Sequence, residues 1–99
     1  MANTSFRTII LDGSSWKTFD EFYDALLCAL GAPSWHGRNL DALNDSIGSG
    51  GINTVNPPLL FKISGLNLVP LEIKREIWRF VELIHDLKKE GIEVEVILS

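Results

Sequence analysis

The chain has 99 residues, 45% of them apolar and 22% charged, with 13 acids against 9 bases and a net charge of −4. That length suits one domain with a single modest core, and the balance is ordinary for a globular protein. It excludes a basic nucleic-acid stripe, a disulfide framework built on the lone Cys28, and a membrane-spanning apolar run.

Phe6–Leu11 is a short β-branched, apolar run stopped by Asp12-Gly13, which reads as a strand and a turn. Its apolar part is strand-sized and no basic segment precedes it, so no secretory leader is expected; with one cysteine, this fits a cytoplasmic protein. Thr18-Phe19-Asp20-Glu21 matches a capping box. Phe19, Phe22, Tyr23, Leu26, Leu27 and Leu30 then recur at helical spacing until Gly31 ends the helix. Trp16 is placed to staple the start of that helix, and Cys28 is expected on its apolar side as a small buried hydrophobe.

Ala32-Pro33-Ser34 breaks the chain, and Asn39 is a good N-cap for a second helix running to about Gly48. Gly48-Ser49-Gly50-Gly51 and Asn56-Pro57-Pro58 bracket a long, flexible loop. Leu59–Ser64 reads as a strand buried on both faces. Pro70 can start a long helix whose core stripe is Ile73, Ile77, Phe80, Val81, Ile84 and Leu87, with Trp78 packing at its flank. Lys88 and Lys89 suit its last turn and Gly91 its stop. Ile92–Leu98 makes a final strand, with Glu93 and Glu95 on a solvated face.

The order is β-α-α-β-α-β. Strands separated by helical stretches favour a parallel sheet with right-handed crossovers, which put every helix on one face if strand order follows chain order. The expectation is an α/β two-layer fold, a three-stranded parallel sheet packed against helices, in a single domain over residues 1–99.

The chemistry concentrates in Trp35-His36-Gly37-Arg38-Asn39-Leu40-Asp41-Ala42-Leu43-Asn44-Asp45. Asp41 and Asp45 are four apart on a helix, so they share a face at roughly 5–6 Å between Cβ atoms, while Leu40, Leu43 and Ile47 fall on another face. Trp35 and Asn39 lie close by. On spacing alone a solvated helix face tolerates such a pair, because the repulsion is a few tenths of a kcal/mol and the helix dipole returns about 0.3–1 kcal/mol to a first-turn aspartate.

Together with Lys88–Ser99, this stretch resembles the barstar family, intracellular protein inhibitors of secreted microbial ribonucleases. The similarity spans nearly the whole chain, and its most specific part is Gly37, Asn39-Leu40-Asp41-Ala42-Leu43 and Asp45. The resemblance implies the same three-stranded parallel sheet, and a loop and second helix that plug a ribonuclease active site. In that implication Asp45 is the central inhibitory carboxylate standing where a substrate phosphate would, and Asp41 is a second charged contact. Trp35 replaces a family tyrosine that packs on the enzyme, and Gly37 and Asn39 shape and cap the loop. Asp86 replaces a peripheral glutamate, and Asn44 stands where the family carries a tryptophan. Ser46 and Ile92 occupy the places of two family cysteines, and the Gly48–Pro57 loop is longer than the family pattern.

The implied partner is a basic microbial ribonuclease held one to one in an antitoxin or immunity role, with the free inhibitor a monomer. No cofactor, metal, nucleic acid or membrane is implied. Two other uses of the same residues are weighed against it. A barstar-fold interaction module would present this surface to a different protein. A small carboxylate-dependent hydrolase would use Asp41 and Asp45 with His36 or His85, yet no nucleophile elbow, phosphate loop or metal spacing accompanies them.

Overall fold

The computed structural model describes residues 6–99. The strands are β1 (Arg7–Asp12), β2 (Leu59–Ser64) and β3 (Val94–Leu98), and the helices are α1 (Phe19–Leu30), α2 (Leu40–Ser49) and α3 (Leu71–Lys89). They follow the order β-α-α-β-α-β, with two single 3-10 turns at Gly13–Ser15 and Leu66–Leu68 that the sequence reading did not anticipate.

The sheet is parallel throughout in the order β1-β2-β3, with Ile9 opposite Phe61 and Phe61 opposite Val96. Ile9, Leu11, Leu59, Phe61, Ile63 and Val94 are buried in the hydrophobic core. Thr8, Ile10, Lys62 and Ile97 are exposed on the opposite face. The expectation that β2 is buried on both faces is therefore corrected. Its apolar run alternates about Lys62, because sequential strand order with right-handed crossovers leaves one sheet face without helices.

Phe22, Phe61 and Phe80 fill the core, Phe61 meeting Phe80 edge-on at 5.2 Å and Phe22 meeting Phe80 at 6.1 Å. Trp16 is buried 5.3 Å from Phe22, so it does staple the start of α1. Two other expectations fail. Cys28 is exposed rather than buried, and Trp78 is 55% exposed rather than packed. Each is one residue past a core position (Leu27, Ile77), and a single step turns about 100° around a helix, enough to leave the core stripe.

Helix ends explain how α1 hands the chain on. The Glu21 N–H donates to the Thr18 hydroxyl while the Glu21 carboxylate accepts from the N–H groups of Lys17 at 2.8 Å and Thr18 at 3.1 Å. Gly31 closes the helix with φ +64°, and a Cβ there would lie 2.7 Å from that of Thr54. The loop therefore lies directly on the helix end. Thr54 donates through both its N–H and its hydroxyl to the Gly31 carbonyl, and Val55 N–H donates to Leu30. The second half of the Gly48–Pro57 loop is bonded to α1, contrary to the expectation of a wholly flexible segment. No helix among the described residues is long and apolar enough to cross a membrane.

Tyr23 joins α1 to α3 by donating its buried O–H to Glu76 Oε2 at 2.5 Å. Burial first, then the bond to Glu76 and its charge, push this phenol well above the ordinary tyrosine value. The folded state holds the proton more tightly than the unfolded chain, so the contribution is complete below about pH 10 and is lost as pH climbs toward the raised folded value. Tyr23→Phe should cost about 1.5–3 kcal/mol in urea unfolding at neutral pH. Since Tyr23 is the sole tyrosine, the gap between the two proteins should narrow steadily above pH 10; a constant gap argues against the bond.

Candidate functional site

The chain turns after Pro33, where His36 N–H donates to the Pro33 carbonyl at 3.0 Å. Asn39 adopts the extended backbone of an N-cap, and its side-chain oxygen accepts from Ala42 N–H at 2.8 Å. A Cβ at Gly37 would approach the Ala42 Cβ to 3.0 Å, so the loop lies on the first turn of α2 only because this position lacks a side chain. Leu43, Ser46 and Ile47 face inward, while Asp41, Asn44 and Asp45 are exposed.

The fold brings Trp35, Gly37 and Asp45 to one open cavity of about 130 Å³, whose walls also include His36, Ala42, Ser46 and Ile52. Trp35 is 73% exposed, an unusual position for so large an apolar ring. Asp41 stands on the same α2 face at its N-terminal end, where the helix dipole favours it. Asp86 is exposed on α3, next to Leu87, whose Cδ2 lies 3.2 Å from the position of a Cβ on Gly48. The C-terminal ends of α2 and α3 therefore touch. A wider groove of about 270 Å³ runs there between Ile47–Gly50 and Gly91–Glu93. Asn44 is exposed and makes no side-chain hydrogen bond among the described residues.

Charge is partitioned sharply. Arg38, the one base in the loop, turns away from α2 and onto α1. Its guanidinium reaches Asp24 at 2.6 Å, the Asp20 carboxylate at 3.2 Å and the Asp20 carbonyl at 2.8 Å. The bond to Asp24 chiefly, with Asp20 behind it, holds the guanidinium above its ordinary value. The other ion pairs among the described residues are Arg79 with Glu76 and Lys88 with Glu95. Glu95 is thus paired rather than simply solvated. Among the described residues Asp41, Asp45 and Asp86 have no ion-pair partner.

Behind this surface lies a buried polar chain that sequence reasoning missed. His36, Ser46 and Asn53 are 7%, 1% and 5% exposed. Nδ1 of His36 is 2.7 Å from the Gly37 carbonyl, which can only accept, so Nδ1 carries the proton. In the neutral ring Nε2 then accepts from the Ser46 hydroxyl at 2.8 Å, and Ser46 Oγ accepts from Asn53 Nδ2 at 3.0 Å. Asn53 Oδ1 is buried without a hydrogen-bond partner among the described residues. One sequence signal was available: Ser46 interrupts the inward stripe Leu43, Ser46, Ile47, and a hydroxyl at a core position needs a partner.

Among the described residues no group of three or more His, Cys, Asp or Glu converges as metal ligands do. His85 is exposed on α3 and makes no hydrogen bond to Asp41 or Asp45. A family model described as Barstar (barnase inhibitor) matches residues 6–98 of the 99-residue chain. No curated protein matches it.

The site's frame depends on the Asn39 cap. Asn39→Ala should lower stability by about 1 kcal/mol in urea unfolding, with Asn39→Asp keeping most of it. An unchanged midpoint for the alanine variant would show that the cap bond holds nothing.

Proposed function

The chain belongs to the barstar family, a family of inhibitors rather than enzymes, and from that premise we propose that it silences a basic microbial ribonuclease by covering its active site one to one. The observation that carries the reading is the pair of unpaired, exposed carboxylates, Asp41 and Asp45, beside a cavity edged by the bare ring of Trp35. A ribonuclease cleft is built to bind phosphate. A carboxylate fixed on a helix offers similar charge, with bidentate geometry toward arginine. Asp45 takes the phosphate position against the enzyme's cationic groups, and Asp41 adds a second contact on the same face. Trp35 packs on the wall of the enzyme cleft, while Gly37 and Asn39 hold the loop in shape. Asp86 makes a peripheral pair, and Asn44 offers a polar contact.

Inhibition in this scheme is occlusion, with no covalent step. Opposite charge speeds encounter, and pairs desolvated in the interface slow dissociation. An antitoxin or immunity role inside the producing cell follows, with the free protein a monomer and residues 1–99 acting as one domain. A second reading keeps the fold and surface for a different protein. The polar Asn44 and the groove at the glycine-rich end of α2 favour it.

Titration into guanyl-preferring microbial ribonucleases at low salt separates the two. Stoichiometric loss of RNA cleavage supports inhibition, and none across such a panel supports the second reading. Asp45→Ala should weaken binding by about 2–5 kcal/mol, the cost of truncating one partner of a buried charge pair, a range set in part on complexes of this same family. Asp86→Ala, at the rim, should cost under about 1 kcal/mol. Both should leave stability within about 0.5 kcal/mol, because the side chains are exposed. Equal and small effects of the two substitutions in calorimetry would refute the orientation.

A further inference from the structure

The buried chain from Asn53 through Ser46 to His36 joins three stretches that are separate in sequence: the loop bearing Trp35, helix α2 bearing Asp45, and the later loop. We infer that His36, Ser46 and Asn53 are positioning residues that lock the Trp35 loop to α2 in the free protein, setting the spacing of Trp35 and Asp45 before any partner arrives. Its consequence for binding rests on the inhibitory reading; its effect on the loop rests on the hydrogen bonds alone.

Each outward side chain has an anchor as its chain neighbour. His36 points in beside the exposed Trp35, and Ser46 points in beside the exposed Asp45. The 2.8 Å bond between the two anchors therefore couples the two presenting groups. A serine within a helix commonly returns its hydroxyl to its own helix. Here the intrahelical acceptor, the Leu43 carbonyl, is 3.4 Å away, long for an O–H donor, and the short bond crosses to the loop. His36 makes a second tie within the loop, to Gly37, the residue whose missing side chain lets the loop lie on Ala42. Asn53 completes the chain from the loop that Thr54 and Val55 fasten to α1. Lifting the Trp35 loop off α2 strands buried donors and acceptors, so the fastened form is the stable one. A partner that meets a fastened surface loses less freedom on binding.

Two substitutions at one position isolate the lock. His36→Phe fills the ring's place and deletes both bonds. His36→Gln carries an amide to where Nε2 sits and restores the acceptor for the Ser46 hydroxyl. Ser46→Ala removes the central hydroxyl at nearly constant volume and serves if the phenylalanine variant does not fold. Backbone ¹⁵N relaxation of residues 35–38 in the free proteins should show an ordered loop in the wild type. The loop should be mobile in His36→Phe and Ser46→Ala, and largely ordered again in His36→Gln. Dissociation from a ribonuclease that the wild type inhibits should quicken about tenfold in His36→Phe, roughly 1.4 kcal/mol, with partial recovery in His36→Gln. A loss of affinity that merely tracked thermal midpoint, with loop order unchanged, would overturn the lock, as would unchanged dissociation. Should the wild type bind no ribonuclease, the inhibitory reading falls, and the relaxation data still decide whether these residues fasten the loop.

Discussion

Helix α2 has ten residues, too few to be stable in water on its own propensity, yet it must hold two like charges side by side at the surface. Everything around it answers that constraint. Its inward face supplies Leu43, Ser46 and Ile47, with Leu40 half-buried against the core, a narrow stripe for a helix that has to be rigid. Rigidity is therefore drawn from the ends and from polar ties: the Asn39 cap, the close seat of Gly37 on Ala42, the contact of Gly48 with Leu87, and the bond from Ser46 to His36. The sheet, with its single covered face, anchors α1 and α3, and α2 is held against α3 and the loops that flank it.

Electrostatics divides along the same line. Four aspartates lie in the segments that meet here, and one arginine serves two of them. By turning to Asp20 and Asp24, Arg38 ties the loop to α1 and leaves Asp41 and Asp45 without a counter-ion among the described residues. Exposed pairs of this sort add little stability. Their effect is instead to decide which carboxylates remain free. In water the free ones cost little, since the repulsion between them is small and solvent screens it. Against a cationic cleft that excludes water, the same two charges interact far more strongly. Two exposed carboxylates of this kind can meet a cationic partner without a large penalty in its absence.

What the sequence made legible was local. The Thr18–Glu21 capping box, the Asn39 cap, the Gly31 stop and the core stripe of α3 each depend on residues a few positions apart, and each stands where it was expected. Failures came where burial depends on distant chain. Lys62 ends on an open sheet face because no helix among the described residues crosses to that side. Cys28 and Trp78 lie one step off their stripes, and periodicity alone does not fix the width of the buried stripe. The candidate site divides the same way. Asp41 and Asp45 could be paired from helical spacing, and the family pattern singled out Trp35, Gly37, Asn44 and Asp86. Asn53 could not be joined to His36 by any local rule, because their link passes through Ser46 from a loop that follows α2 in the chain.

That loop divides into a fastened half and an open half. Its second half is committed: Asn53 bonds Ser46, Thr54 and Val55 bond the end of α1, and Asn56 folds back on Gly51 N–H and the Asn53 carbonyl. Its first half is held by the exposed bond from Gly51 N–H to Asn56. Gly50 and Gly51 sit at φ +74° and +79°, and a Cβ on Gly51 would meet nothing within 4 Å. Residues added at Gly50–Gly51 face solvent and disturb no buried bond, and extra loop length costs little entropy because closure scales with its logarithm. This stretch borders the groove where α2 and α3 end, and Asn44 is exposed on the same short helix. Changes at Asn44 or Gly51 would reshape this surface without touching the Asn39 cap or the bond from Ser46 to His36, and the aspartates would stay on the same helix.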